Sequence, residues 1–287
     1  MAIQGLLQPA LTTGLALGMF CVAKWLHNAL TPYGVNLELK SGNLAAAVSL
    51  SGYLLGVLIV MVGAFLGPSN GFRADLLGFA GYALLGILLL NGARWINDKL
   101  FLCHFCNTAE IVRDRNVGTG AVEFGSYVAT ALVIAGAVHG EGGGLHTALV
   151  FAALGQLALA LGIWLYDMLT PLKLLEEIEA DNVPAGIALG GMMIALGILM
   201  MRGTQGNFID WGFNLAHFGV DAAAGLLLFP LVRLLSDRVL VPGLDLDQAV
   251  LRQRNIAAAA VEAIVAVSIA VLLYFMLDFG VLLGGQP

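Results

Sequence analysis

The chain has 287 residues, is 59% hydrophobic and only 11% charged, and combines a mean hydropathy of +0.90 with a formal charge of −6. A soluble domain carries about 25% charge, so lipid is the solvent for most of this chain. The acidic balance, with no basic cluster beyond paired arginines, excludes a nucleic-acid binder, and three cysteines, Cys21 within an apolar run, exclude a disulfide scaffold.

Eight segments meet the length rule for a membrane-spanning helix of roughly 17–25 apolar residues. In chain order they cover approximately 10–29, 44–66, 75–97, 117–139, 145–167, 183–201, 208–233 and 256–279. No Lys or Arg precedes the first run and no A-x-A pattern follows it, so it reads as a retained helix and not a signal peptide. Backbone groups in hydrocarbon must be paired within their own segment, which makes these helices, and the alternating pattern of a membrane barrel is absent. The predicted fold is therefore all-α and polytopic, with eight transmembrane helices.

The polar punctuation is periodic. Every second span opens with an asparagine and small residues: Gly42-Asn43 before Ala45–Ala47, Asn116 before Gly118, Asn182 before Ala185, and Asn255 before Ala257–Ala260. The unit is a helix, a polar connector and an Asn-led small-residue helix, used four times. Asn43 to Asn182 and Asn116 to Asn255 are both 139 residues apart. The same shift pairs Trp25 with Trp164, Thr31-Pro32 with Thr170-Pro171, Glu38 with Glu177, Arg94 with Arg233, Asp98 with Asp237, Lys99 with Arg238, and Glu123 with Glu262. The chain is thus predicted to be a tandem duplication of a four-helix module, residues 1–140 and 141–287. An even number of spans per module makes the copies parallel rather than inverted, which weakens analogy with rocking transporters.

Positive charge sets the expected orientation. The connectors and adjoining helix ends hold 11 of the 13 Lys and Arg residues, and the opposite side has only Arg73 and Arg202. Connectors are expected in the cytoplasm and both termini outside.

The acidic-aliphatic connector followed by Asn and an Ala-rich helix resembles the YjfL-like family of bacterial inner-membrane proteins. The resemblance rests on Glu38-Leu39 with Asn43, Glu110-Ile111 with Asn116, Glu177-Ile178 with Asn182, and Asn255 with Ala257–Ala260; the fourth unit lacks the acidic pair. A family domain covers about four spans, so nearly the whole chain looks like two in tandem. The resemblance implies a polytopic inner-membrane protein of unknown function, with a loose link to envelope stress and to ATP-grasp ligase genes.

Four constellations could carry chemistry. Asn43, Asn116, Asn182 and Asn255 read as N-caps, or collectively, with Arg113, Arg115, Arg252 and Arg254, as a site for an anion or lipid headgroup. Glu123 and Glu262 lie seven residues past an asparagine, roughly 10 Å into their helices. They are either structural partners of an arginine near a helix end, such as Arg94 or Arg233, or proton or cation sites. His217 and Asp221 share one face of the seventh span as an i, i+4 pair able to hold a proton. The pair Cys103 and Cys106 lacks the second pair of ligands that zinc needs, so no metal and no cofactor are expected. The connector Pro171–Ile178 suits an interfacial helix with Leu172, Leu175 and Ile178 towards lipid.

Glycine pairs such as Gly14/Gly18, Gly52/Gly56 and Gly186/Gly190 favour close helix packing, with homo-oligomer contacts as a second use. No phosphate-binding loop, nucleophile elbow or zinc motif occurs, so an enzyme is not expected. The two functional expectations are a small-molecule or ion transporter using Glu123, Glu262, Asp221 and His217, and a non-transporting scaffold whose cytoplasmic connectors recruit proteins.

Overall fold

The computed structural model describes residues 2–67, 69, 71–100, 107–169, 174–235, 246 and 248–276, and within these residues all regular structure is helical. The order is α1 (Ala2–Leu30), α2 (Val35–Lys40), α3 (Leu44–Phe65), α4 (Phe72–Leu100), α5 (Asn107–Ala109) running into a π-helical turn at Glu110–Asp114, α6 (Val117–Val138), α7 (Leu145–Leu169), α8 (Leu174–Glu179), α9 (Val183–Thr204), α10 (Trp211–Leu235), a π-helical turn at Gln248–Arg252, and α11 (Ile256–Met276). Seven of these helices contain stretches long and apolar enough to cross a membrane, those of α1, α3, α4, α6, α7, α9 and α11. The 25-residue α10 occupies the place of the remaining expected span.

The four Asn-led helices stand side by side in one row: α3 packs on α6, α6 on α9, and α9 on α11. The first helix of each unit forms a second layer. Helix α4 fits between α3 and α6, α7 between α6 and α9, α10 lies mainly against α9, and α1 leans on α3 and α4.

Lipid tails are as apolar as the helices, so association must come from close packing rather than from water release. Glycine provides it in one repeated register. Counting from each asparagine, residue 9 of one row helix meets residue 8 of the next: Gly52 against Phe124, Gly125 against Gly190, and Gly191 against Ala263. A Cβ on Gly125 would sit 2.4 Å from the Gly190 oxygen, and one on Gly191 2.6 Å from the Ala263 Cα. Position 20 meets position 19 in the same way, Gly63 with Ala135 and Gly136 with Met201. Nothing larger than hydrogen fits at these crossings.

The seam between the two halves, α6 with α9, is the tightest of the contacts. Gly186 lies over the Gly118 backbone at 2.2–2.5 Å from where its Cβ would stand. One hydrophobic core runs across it, holding Val122, Ala129 and Val133 of α6 together with Leu189, Leu196 and Met200 of α9. The connector α8 differs from the expected interfacial helix. Ile178, expected towards lipid, is buried in this core together with Leu174, its backbone held by Asn116; Leu175 is half-buried against the same core, and Leu172 lies outside the described residues.

Candidate functional site

Each row helix starts from the same local device. The residue before the asparagine is left-handed in all four units: Gly42 (φ 75°), Arg115 (φ 55°), Asp181 (φ 61°) and Arg254 (φ 51°). This reverses the chain at the end of the connector and lets the asparagine N–H return to a connector carbonyl: Asn43 to Glu38, Asn116 to Glu110, Asn182 to Glu177 and Asn255 to Ala249. The side chains then cap the helices, with Oδ1 accepting from Ala46, Thr119, Ala185 and Ala258 at 3.1–3.3 Å.

The amide nitrogens do something further. Asn43 Nδ2 donates to Glu38 Oε2 and to the Ile111 carbonyl, both at 2.8 Å. Asn116 Nδ2 donates to Glu110 Oε2 (2.9 Å) and the Ile178 carbonyl (2.7 Å). Asn182 Nδ2 donates to Glu177 Oε2 (3.1 Å) and the Leu251 carbonyl (3.0 Å). One residue thus caps its own helix, holds its own connector glutamate and staples the next unit. Asn255 retains the cap; its connector has Ala249 where Glu110 stands, and among the described residues its Nδ2 finds no acceptor.

The flanking arginines serve the same joints. Arg115 Nη2 donates to Ser41 Oγ (3.2 Å) and Arg254 Nη2 to the Ala180 carbonyl (3.0 Å), each reaching the preceding connector. Arg113 is paired with Asp114 at 2.7 Å on the exposed surface, where the guanidinium hydrogen bonds hold the carboxyl below its usual range. Arg252 is exposed.

Glu123 and Glu262 are both buried within the helix row. Glu123 Oε2 accepts a short hydrogen bond from Ser49 Oγ of α3. Glu262 occupies the corresponding place on α11, where the neighbouring α9 carries Ala188 in the position of Ser49. Helix α9 separates α6 from α11, so the two glutamates sit in different helix contacts.

At the opposite end of the row, Asp221 of α10 is 3% exposed and faces the last turn of α9, its Cβ 3.2 Å from where a Cβ on Gly203 would be. Asp221 Oδ2 lies 3.6 Å from His217 Nδ1 and 3.8 Å from Arg202 Nε. These are ion-pair distances, beyond direct hydrogen-bond length. Arg202 Nη1 is anchored on the Tyr274 carbonyl at 2.6 Å, and Tyr274 OH donates to Gln205 Oε1 at 2.6 Å. His217 also borders a cavity of about 40 Å³ lined by Tyr82, His139, Glu141, Thr204 and Asn214. That volume holds a water or two among polar groups. The turn that links the two halves and the α9–α10 loop close over it through Phe208 N–H to the Glu141 carbonyl (2.8 Å) and Glu141 N–H to Asn207 Oδ1 (2.7 Å).

The structure therefore brings His217 and Asp221 together and adds Arg202, which in the sequence counts only as a lone charge. It does not join them to the glutamates. Residue 7 and residue 21 of a row helix are about 21 Å apart along the axis at 1.5 Å per residue. Another buried polar group was missed in the first half: His27 stacks on Tyr53 at 4.1 Å, Tyr53 OH donates to the Ala23 carbonyl (2.9 Å) and accepts from Asn91 Nδ2 (3.0 Å), and Arg94 Nη1 donates to Thr31 Oγ1 (2.8 Å). The signal for it was a His, a Tyr and an Asn inside apolar runs, none with a like residue 139 positions on. Cys103, Cys106 and Lys173 lie outside the described residues, as do the side chains of Asp98, Lys99 and Arg233.

No solved structure matches the chain. A curated relative, the UPF0719 transmembrane protein of Mycolicibacterium paratuberculosis (strain ATCC BAA-968 / K-10), is 31% identical over 101 residues, 35% of this chain and 66% of the relative. The chain therefore spans just under two thirds of that relative's length. The family described as Domain of Unknown Function (DUF350) matches residues 1–138 and again residues 142–277. With two tandem copies of that domain filling a helix bundle of two repeated halves, the chain belongs to the DUF350 family of membrane proteins.

Proposed function

We propose that this protein is a non-catalytic, non-conducting scaffold of the bacterial inner membrane, crossing it eight times with α10 as the remaining span. The connectors would face the cytoplasm, where they could recruit soluble proteins, and both termini the outside, following the asymmetry of Lys and Arg. The observation that carries this reading is the closed α6–α9 seam. A path between the halves would have to separate Gly118 from Gly186 and Gly125 from Gly190, whose backbones leave room for hydrogen alone. Burial of Glu123 against Ser49 between α3 and α6 supports it, since a satisfied carboxyl can serve as an interhelical tie.

The test is flux. Purified protein in proteoliposomes is expected to pass protons and potassium no faster than empty vesicles, read with a pH-sensitive dye and an ion electrode. A flux that disappears on Glu123→Gln with Glu262→Gln would overturn the scaffold reading. Orientation is checked with reporters fused after Pro287; activity of a cytoplasm-dependent reporter there would reverse the topology.

A second reading has its own support. Arg202, Asp221 and His217 beside a small polar cavity form a group able to hold a proton, the arrangement expected of a proton-coupled carrier. Under it, Asp221→Asn would abolish a proton flux that Glu123→Gln leaves intact.

A further inference from the structure

The row of Asn-led helices uses one joint three times, and its two ends carry the unused halves of that joint. The joint is directional. Positions 2, 9, 13 and 20 of one helix meet positions 4, 8, 15 and 19 of the next: Ala45 with Gly120, Gly52 with Phe124, Gly56 with Ala131 and Gly63 with Ala135. The second joint repeats this with Gly118 and Gly186, Gly125 and Gly190, Ala129 and Gly197, and Gly136 and Met201. The third repeats it with Gly191 on Ala263 and with Arg202 hydrogen-bonded to the Tyr274 carbonyl.

On α11 the leading positions are Ala257, Ile264, Ser268 and Phe275, and all four are exposed. On α3 the receiving positions are Ala47, Ser51, Leu58 and Val62, and all but the half-buried Ala47 are exposed. Among the candidate spans, 78% of the α6 and α9 windows is buried, against 28% in α11 and 11% in α1.

The second layer has the same open end. Val60, Val133 and Leu199, each 17 residues past an asparagine, take a glycine from the first helix of the next unit: Gly86, Gly155 and Gly225. Leu272 is the fourth of this series and is 53% exposed. The matching position on α1 is Ala16, 139 residues before Gly155; it is half-buried, and on either side of it nothing lies within 4 Å of where a Cβ would stand on Gly14 or Gly18. Polar groups mark the joint as well: the Asn255 amide, which in the other units reaches into the next connector, and Ser268 and Ser51 in the midst of apolar neighbours.

We infer that a second copy of this chain docks end to end, α11 of one copy taking α3 and α1 of the next, so that the helix row continues through the membrane. The Asn255 amide then reaches the α2 carbonyl of Leu39, the place that Ile111, Ile178 and Leu251 hold in the internal joints. The contact is heterologous, one face against a different face, and gives rings or open rows rather than an isolated two-fold dimer. Ile264 and Phe275 replace the glycines of the internal joints, so the copies stand at the ordinary helix spacing of about 8–10 Å and separate more readily than the units within a chain. This inference does not depend on whether the protein conducts.

Site-directed crosslinking tests it in phospholipid vesicles, with Cys21, Cys103 and Cys106 first changed to alanine. The double variant Ser51→Cys/Ile264→Cys is expected to give dimers and a ladder of higher species on oxidation. Ser51→Cys alone and Ile264→Cys alone are expected to stay monomeric, and the two single variants reconstituted together to stop at a dimer. The pair Val62→Cys/Phe275→Cys should behave alike; all four side chains are exposed, so the protomer fold is preserved. A dimer from Ile264→Cys alone would show α11 meeting its own twin and overturn the proposal. So would monomers from both pairs together with a single-copy species in native mass spectrometry of the unaltered chain, the outcome if lipid alone covers these faces.

Discussion

Asn116 shows how much one side chain does here. It accepts from Thr119 N–H as a cap, donates to Glu110, and donates across to Ile178 of the following unit. A lost cap costs about 1 kcal/mol. Leaving buried acceptors behind adds about 1–3 kcal/mol. Asn116→Ala is therefore expected to lower stability by about 2–4 kcal/mol and Asn255→Ala by about 1 kcal/mol, since only the cap is lost there. Unfolding midpoints of the two variants in one detergent check the order; equal losses would show that the staple carries no energy. Asp181 offers a prediction of opposite sign. Held left-handed at φ 61°, it pays a steric cost that glycine avoids, so Asp181→Gly should raise stability by about 1 kcal/mol. The asparagines were legible in the sequence as caps because the cap is local. Their amide bonds to the next unit were not, because those carbonyl acceptors lie 62–69 residues away.

Among the elements, glycine spacing tells two stories that the sequence alone cannot separate. Gly186 and Gly14 both belong to small-residue pairs within apolar runs. A Cβ on Gly186 would press into the Gly118 backbone, whereas one on Gly14 meets nothing. Gly186→Ala must force α6 and α9 apart, and over-packing of this kind typically costs about 1–3 kcal/mol or more. Gly14→Ala is expected to be neutral or to stabilise α1 by about 0.5–1 kcal/mol through helix propensity. Heating followed by size-exclusion chromatography separates the two: the Gly186 variant should aggregate at lower temperature than the parent, and the Gly14 variant should not. The sequence predicts polar connectors, one of them an interfacial helix. They prove to be short helices and π-helical turns whose aliphatic residues Ile111, Ile178 and Leu251 enter the core. Hydropathy gave no sign of this, since an apolar residue beside a membrane can face lipid or protein equally well.

For the molecule as a whole, the row and its second layer explain why buried carboxyls persist. Each lies where two helices meet, Glu123 with Ser49 and Asp221 near Arg202 and His217. Ser49→Ala removes the hydroxyl but leaves Glu123 buried, and is expected to cost about 1–3 kcal/mol. Glu123→Gln, which can still accept from Ser49, should cost less. Denaturation of both variants in the same lipid mixture tests that ordering.

The duplicated, all-helical membrane bundle followed from the sequence by itself, because long apolar runs in lipid have one way to satisfy their backbone and because a 139-residue repeat of polar positions survives without any structure. Which polar groups meet was decided by the tertiary structure alone. His217 and Asp221 are neighbours on one helix and could be paired on paper; Arg202 joins them, and Glu123 finds Ser49, only through the crossing of separate helices. Helical periodicity fixes the face a residue occupies, but the partner across that face depends on how closely glycine lets two backbones approach.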